Sequence, residues 1–244
     1  FVLLLEIWFD YRMDLIHKAR THTGVTRLLY QVLSLFSQDT SPKAVAFDKK
    51  AVNIITIVGI PSAFLLHGYV GFIFGSVKAN PWWSSVLMPI VFLFSAIVSG
   101  IALMLIIYMI VTMVRRTALD MACLDKLASF LFYMMIVDFS LEGLDFIHRV
   151  YQSEESIHIL SQLISQRLFM SLVVIQLLLG MLVPLFTIAG TKIFRVPDEF
   201  RRLIYFLSAL LVQLGIFSTR WNVVMGGQLF SKSFRGLTAY KITL

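Results

Sequence analysis

Long apolar runs, each nearly free of charge, are the feature of this sequence that most limits how it can fold. A helix needs about 20 mostly apolar residues to cross the hydrocarbon core of a bilayer. The runs are too long for the strands of a membrane barrel and lack two-residue alternation. We therefore predict an all-α, polytopic transmembrane helix bundle with about six spans, at residues 1–9, 52–74, 86–114, 127–147, 168–190 and 203–219.

The composition supports lipid as the surrounding solvent. Hydrophobic residues make up 58% of the chain and charged residues 14%, whereas soluble domains have roughly half and a quarter. The net charge of +7 is assigned to loops at lipid headgroups, so no nucleic-acid partner is expected. Because the sequence begins inside an apolar run, we expect residues 1–244 to be a single helical domain of a longer chain with further spans.

Lysine and arginine residues orient the predicted bundle. One set of alternate loops holds 14 of these residues and the opposite set holds 7. Basic residues are enriched in cytoplasmic loops, so residues 10–51 are predicted to form a cytoplasmic basic loop. The Asn80-Pro-Trp-Trp83 loop then faces outward, with both tryptophans in an interfacial belt. Residues 221–244 are predicted to form an outer loop leading to a further helix.

Four ionisable residues lie in the fourth apolar segment. Their presence there must be explained, because a charge at mid-bilayer costs roughly 2.5–3.5 kcal/mol on insertion scales. Asp138, Glu142, Asp145 and Arg149 are spaced by four, three and four residues, which places them on one helix face. The carboxylates must face a polar cavity or pair with cations, for which Arg149 and His148 are the local candidates. A self-neutralised structural cluster is the alternative, above all for Asp145 and Arg149. Loop charges place Asp138 and Glu142 toward the outside, at the depth of His67.

His67 is the second candidate, near the outer end of its segment. It follows Pro61, which is expected to kink the helix, and an imidazole exchanges protons near neutral pH. A histidine that only packs against a neighbouring helix is an equally good interpretation. The Gly71–Gly75 pattern, G-x-x-x-G, is typical of close helix contacts. Glu6 is interpreted either as a proton-path residue or as an interfacial one.

The sequence offers little for a metal or prosthetic group. The single cysteine, Cys123, can neither form an internal disulfide nor hold an iron–sulfur cluster. One clearly buried histidine falls short of the two that a bis-histidine haem needs. Nucleotide-binding, zinc-protease and hydrolase motifs do not occur. We therefore expect neither haem, cluster nor metal site in this chain.

Three stretches resemble the NrfD/PsrC-like family of polysulfide reductase membrane subunits, which includes HybB- and DsrP-type relatives. The likeness covers most of the chain, although early family helices that contribute to the quinone pocket in some members would precede residue 1. The stretches are Leu66-His-Gly-Tyr-Val-Gly-Phe72 with Asn80-Pro-Trp-Trp83 and the segment through Gly100, the acidic region Asp138–Glu142, and Leu5-Glu-Ile7.

The resemblance implies a quinone-reactive membrane subunit of a respiratory oxidoreductase, in a bacterial or archaeal cytoplasmic membrane. Such a subunit exchanges electrons between menaquinone or ubiquinone and a periplasmic ferredoxin-like iron–sulfur subunit, in some cases with proton translocation. Multihaem cytochrome, molybdopterin or sulfur-metabolism subunits are further implied partners. The implied catalytic residues are His67, Asp138, Glu142 and Glu6, and the implied quinone contacts are His67, Tyr69, Gly71, Asp145 and Arg149.

Two other functions are also compatible with the sequence. A structural anchor would hold redox subunits at the membrane without quinone chemistry, and a quinone-analogue titration would separate it from a quinone-reactive subunit. A secondary transporter also places carboxylates near broken helices, and co-purifying redox subunits would argue against it. The sequence leaves open the direction of electron flow, the terminal substrate and the quinone type.

Overall fold

The computed structural model describes residues 1–37, 39–152, 157–230 and 237, and these residues form seven helices joined by short connections, with one isolated bridge between Phe230 and Leu237. Five of the helices are long and apolar enough to cross a membrane. The predicted all-α polytopic bundle is confirmed. The helices are α1 (Val2–Thr21), α2 (Val25–Leu33), α3 (Pro42–Gly75), α4 (Met88–Arg115), α5 (Met121–Gln152), α6 (Ile157–Ile193) and α7 (Asp198–Gln228).

The chain divides into two compact units, residues 1–66 and 67–244. In the first unit, residues 10–51 are not one continuous loop, because they include the second half of α1, all of α2 and the start of α3. Within α1 the Arg12 side chain is buried and donates to the Asp48 carboxylate at 2.6 and 2.8 Å, so this part of the segment is packed against the start of α3. The cytoplasmic location of residues 10–51 stays a prediction.

The first predicted span, residues 1–9, is the amino-terminal half of α1. Helix α1 is not among the five helices that are apolar enough to cross a membrane, since its later turns carry several charged residues. The other five predicted spans correspond to α3 to α7. Four of these helices extend beyond both predicted boundaries, whereas α4 begins two residues later than predicted and ends one residue later.

The core of the second unit is formed where α4, α5, α6 and α7 meet. Small and branched side chains are prominent in this core, and small side chains let helices approach one another closely. Its fully buried members include Val98, Ala102 and Leu105 of α4, Leu124, Ala128 and Leu131 of α5, Ile188 of α6, and Ala209 and Val212 of α7.

Helix α7 continues beyond the predicted end at residue 219 to Gln228. The sequence pattern indicated a loop here because Gly226 and Gly227 are adjacent. Both glycines are buried, and the space that a Cβ would need is occupied by the indole rings of Trp82 and Trp83. Most of the remaining predicted tail, residues 231–236 and 238–244, lies outside the described residues.

Helices α6 and α7 touch at a pair of glycines. Helix α6 has the wider π winding over Leu163–Leu182 and returns to α-helix at Val183. Within the wide part, Gly180 faces Gly215 of α7, and a Cβ on Gly215 would lie 2.6 Å from the Gly180 Cα. Only glycine at both positions permits this approach.

We expect Gly215→Ala to destabilise the protein by about 1–3 kcal/mol, because the new methyl group would force two backbones apart. Gly100→Ala on α4 is the matched control, since a Cβ there meets nothing within 4 Å and alanine favours the helix by about 0.5–1 kcal/mol. Thermal unfolding of the detergent-solubilised protein measures both. Equal melting temperatures for the two variants would contradict the close contact.

Candidate functional site

The polar face of α5 lies beside a small cavity in the second unit. Glu142, Asp145 and Arg149 line this cavity, which has a volume of about 70 Å³. Asp138 lies one turn before Glu142, nearer the start of α5, and is only 1% exposed. The remaining walls come from α4, α6, α7 and the loop before α4, including the polar residues Gln176, Thr219 and Asn222.

Asp145 and Arg149 form a buried ion pair whose polar atoms are engaged within the chain. The Arg149 Nε donates to Asp145 at 2.8 Å, and a second guanidinium N–H donates to the same oxygen. Arg149 also donates to the Trp82 carbonyl and lies 5.2 Å from the centre of its ring. The Ser85 hydroxyl donates to the other Asp145 oxygen. This geometry favours the interpretation of Asp145 and Arg149 as a self-neutralised structural pair. Contact of these two residues with a quinone stays a prediction.

Glu142 is held by neutral donors instead of a cation. The Gln176 amide donates to one of its oxygens at 2.9 Å, and the Thr219 hydroxyl donates to the other at 3.4 Å. The Asn222 amide in turn donates to the Gln176 carbonyl oxygen at 2.8 Å. Among the described residues, Glu142 makes no ion pair. A carboxyl group in this setting can take up or release a proton without breaking a salt bridge.

Asp138 and Arg220 are the other ionisable groups of this region. The buried Asp138 Oδ1 has no hydrogen-bond partner among the described residues. Arg220 donates to the Phe92 carbonyl at 3.2 Å and to the Ser95 hydroxyl at 2.9 Å, with its guanidinium 4.4 Å from the centre of the Phe92 ring. Its charge acts on both Asp138 and Glu142, although within the described part of the chain it pairs with neither.

Sequence reasoning missed several of these residues. Arg220 and Asn222 were not predicted as site residues; α7 continues beyond residue 219 and carries both into the bundle. Gln176 and Thr219 were likewise not predicted as site residues. The available signal was an amide in the middle of an apolar run, which is costly in hydrocarbon unless it is paired.

The Asn80-Pro-Trp-Trp83 segment, which we call the tryptophan loop, is bound to α7. Trp82 is only 3% exposed, so its predicted place in an interfacial belt is wrong. The Trp82 and Trp83 indoles donate to backbone carbonyls of α7 at 2.9 and 2.6 Å, and the Asn80 amide donates to the Gly227 carbonyl at 2.8 Å. The two adjacent glycines of α7 make room for both rings. The loop thereby holds the Trp82 carbonyl and ring against Arg149.

The remaining predicted site residues lie elsewhere. His67 is half-buried on α3 and is not one of the described residues that line the cavity. Tyr69 is 62% exposed. Gly71 is in close backbone contact, since its Cβ would lie 2.6 Å from the Met88 carbonyl oxygen, which confirms the predicted close helix contact. Glu6, in the first unit, accepts a hydrogen bond from Thr56 at 2.6 Å.

Comparison with known proteins agrees with the resemblance carried by the sequence motifs. The family model described as polysulphide reductase, NrfD, matches residues 2–232. A selenate reductase subunit from Mesobacillus selenatarsenatis is 30% identical over 231 residues, which cover 92% of this chain and 52% of that protein. The chain thus spans about half the length of this curated relative. Since the family match includes all five membrane-capable helices and the α5 cavity, this multi-pass membrane protein belongs to the NrfD polysulphide reductase family.

Proposed function

We propose that this chain is the quinone-reactive membrane subunit of a respiratory oxidoreductase complex. Its proposed task is to pass electrons between the quinone pool and an iron–sulfur subunit on the outer face of a bacterial or archaeal cytoplasmic membrane. Membership of the NrfD family and the similarity to a subunit of a selenate reductase support a place in a reductase complex. The observation that carries the chemical part of the proposal is the pair of carboxyl groups on the buried Asp138 and the half-buried Glu142.

Charge balance explains why these carboxyl groups suit proton exchange. Asp145 and Arg149 neutralise each other, which leaves Asp138 and Glu142 facing the single positive charge of Arg220. When Asp138 and Glu142 are both ionised, the cluster that they form with Asp145, Arg149 and Arg220 carries one uncompensated negative charge inside hydrocarbon, which is unfavourable. Binding one proton makes the cluster neutral. The cluster therefore has the composition of a site that takes up and releases a single proton.

The cavity itself is too small for a quinone ring. Its volume of about 70 Å³ is roughly half of the 150 Å³ cavity that accommodates benzene and is sufficient for about two water molecules. A quinol supplies two electrons and two protons when it is oxidised. We assign proton transfer, and not ring binding, to the cavity: Glu142 exchanges a proton with cavity water while Gln176 and Thr219 fix its carboxyl group.

The quinone contacts are proposed for α3. His67 and Tyr69 remain the candidate hydrogen-bond partners of a quinone oxygen, and the high exposure of Tyr69 suits a ligand that arrives from lipid. The close backbone contact of Gly71 supports a packing role, which allows α3 and the start of α4 to approach. Glu6, bonded to Thr56, is proposed for an inward proton path if chemistry is coupled to translocation.

The direct test is quinol oxidation by the purified complex with and without this subunit. We expect quinol-dependent reduction of the terminal acceptor to be lost without the subunit, while an artificial electron donor still drives the partner subunits. The partners proposed are a ferredoxin-like iron–sulfur subunit with multihaem cytochrome or molybdopterin subunits, and mass spectrometry of the complex identifies them.

A structural anchor is the second candidate, and the small size of the cavity favours it. In that case quinol oxidation would persist in the subcomplex that lacks this chain once the soluble subunits are held at the membrane by other means. That outcome would overturn the quinone-reactive proposal and leave the family assignment intact.

A further inference from the structure

A second and much larger cavity lies at the opposite end of the bundle from the tryptophan loop. It has a volume of about 780 Å³ and is formed by the end of α4, the connection to α5 and the start of α7. Its wall is apolar, and Thr112, Thr117, Glu199 and Arg202 supply its polar atoms. The apolar wall comprises Met109, Ile110, Met113, Leu119, Leu203 and Phe206. We call this cavity the α4–α7 groove.

Arg202 is the distinctive residue of the groove. It is half-buried, and its Nε donates to the Met121 sulfur at 3.2 Å. A thioether is a weak acceptor, and the described residues provide no acceptor at hydrogen-bonding distance for the other guanidinium N–H groups. By contrast, the adjacent Arg201 is engaged with Asp198 at 2.5 Å and Asp125 at 3.4 Å. Arg202 therefore offers donors to a ligand beside an apolar wall.

Charges of both signs lie next to the groove lining, since Asp120 follows Leu119 and Asp198 precedes Glu199, and Asp198 is paired with Arg201. Arg115 and Arg116 follow the α4 residues that line it, and Arg201 is adjacent to Arg202. Glu199 is the only acidic side chain among the described residues that line the groove. Guanidinium groups bind phosphate in a bidentate manner, and basic pockets between membrane helices attract anionic lipid headgroups.

We infer that the α4–α7 groove binds one anionic phospholipid, with its phosphate at Arg202 and an acyl chain along the methionine-rich wall. A neutral amphiphile such as a quinone tail would fill the apolar part but would leave the guanidinium without an acceptor. A peptide helix would likewise leave the Arg202 guanidinium without an acceptor unless the helix supplied a carboxylate. The phospholipid satisfies both the charge and the apolar wall, and the inference does not depend on the quinone chemistry proposed above.

The test uses the full-length protein in its complex, reconstituted in phosphatidylcholine discs. Phe206→Trp introduces an indole into the groove wall, and lipids with brominated acyl chains quench an indole that they contact. We expect brominated phosphatidylglycerol to quench the added fluorescence more strongly than brominated phosphatidylcholine at equal mole fraction. In the Phe206→Trp, Arg202→Gln double variant we expect this headgroup preference to be lost. The Phe206→Trp, Arg195→Gln double variant, which changes an exposed arginine outside the groove, should retain it.

Native mass spectrometry provides a second readout that does not need the tryptophan variant. The unaltered complex and Arg195→Gln should retain a phosphatidylglycerol that Arg202→Gln loses. Equal quenching by both headgroups, or a preference that survives Arg202→Gln, would overturn the inference. Loss of quenching on addition of a quinone, without any headgroup preference, would assign the groove to a quinone tail and would also overturn it.

Discussion

Glu142→Gln is expected to lower quinol-dependent turnover of the complex by about 100-fold or more, the range in which positioned acid–base groups contribute. Glutamine retains the shape of the side chain and can still bond Gln176 and Thr219, but it cannot carry a proton. The loss should therefore fall on the turnover number, with the protein folded and assembled. Steady-state oxidation of a soluble quinol analogue by the purified complex measures it.

Matched variants separate a proton-transfer defect from general damage. Asp14→Asn removes an exposed carboxyl group of α1 and should leave turnover unchanged. Asp138→Asn should reduce turnover less than Glu142→Gln, because Asp138 does not line the cavity. His67→Ala should mainly raise the KM for quinol if the imidazole bonds a quinone oxygen. Unchanged turnover in Glu142→Gln would remove the carboxyl group from the reaction.

Arg149→Met should destabilise the protein by about 3–5 kcal/mol, the usual cost of removing one member of a buried ion pair. The variant leaves the Asp145 carboxylate in the bundle with only the Ser85 hydroxyl as a partner among the described residues. It also removes the donor to the Trp82 carbonyl, which joins α5 to the tryptophan loop. We expect poor expression and a strongly lowered melting temperature in detergent.

The double variant Arg149→Met, Asp145→Leu tests the cause of that loss. Replacing both members of a buried pair by apolar groups is often neutral, so much of the stability should return. Arg201→Met is the comparison for a partly exposed pair, where the expected loss is at most about 1 kcal/mol. Near-wild-type stability of Arg149→Met would show that the pair does not hold the loop to α5.

The sequence was sufficient to predict the parts of the fold that depend on local patterns. Apolar length identified helices α3 to α7, and the spacing of Asp138, Glu142 and Asp145 placed them on one face of α5. Both signals are properties of a single segment and need no knowledge of its neighbours. Family membership followed from motifs that also lie within short stretches.

Apart from the close contact at Gly71, the sequence did not predict which residues meet between helices. Gln176 and Arg220 lie on different helices, and no local pattern shows that they point toward α5. Gly226 and Gly227 looked like a loop, although they are helical positions that admit two indole rings. Small residues serve both purposes, so only the packed structure distinguishes a turn from a close approach.

The carboxyl groups of α5 are proposed to exchange a proton when the complex reacts with quinol. Infrared difference spectroscopy on the purified complex, triggered by quinol, reports this directly through the carboxylic C=O stretch. We predict a redox-linked band in that region that shifts in D₂O and disappears in Glu142→Gln. A band that is unchanged in both Glu142→Gln and Asp138→Asn, or the absence of any carboxylic band in the active complex, would contradict the claim.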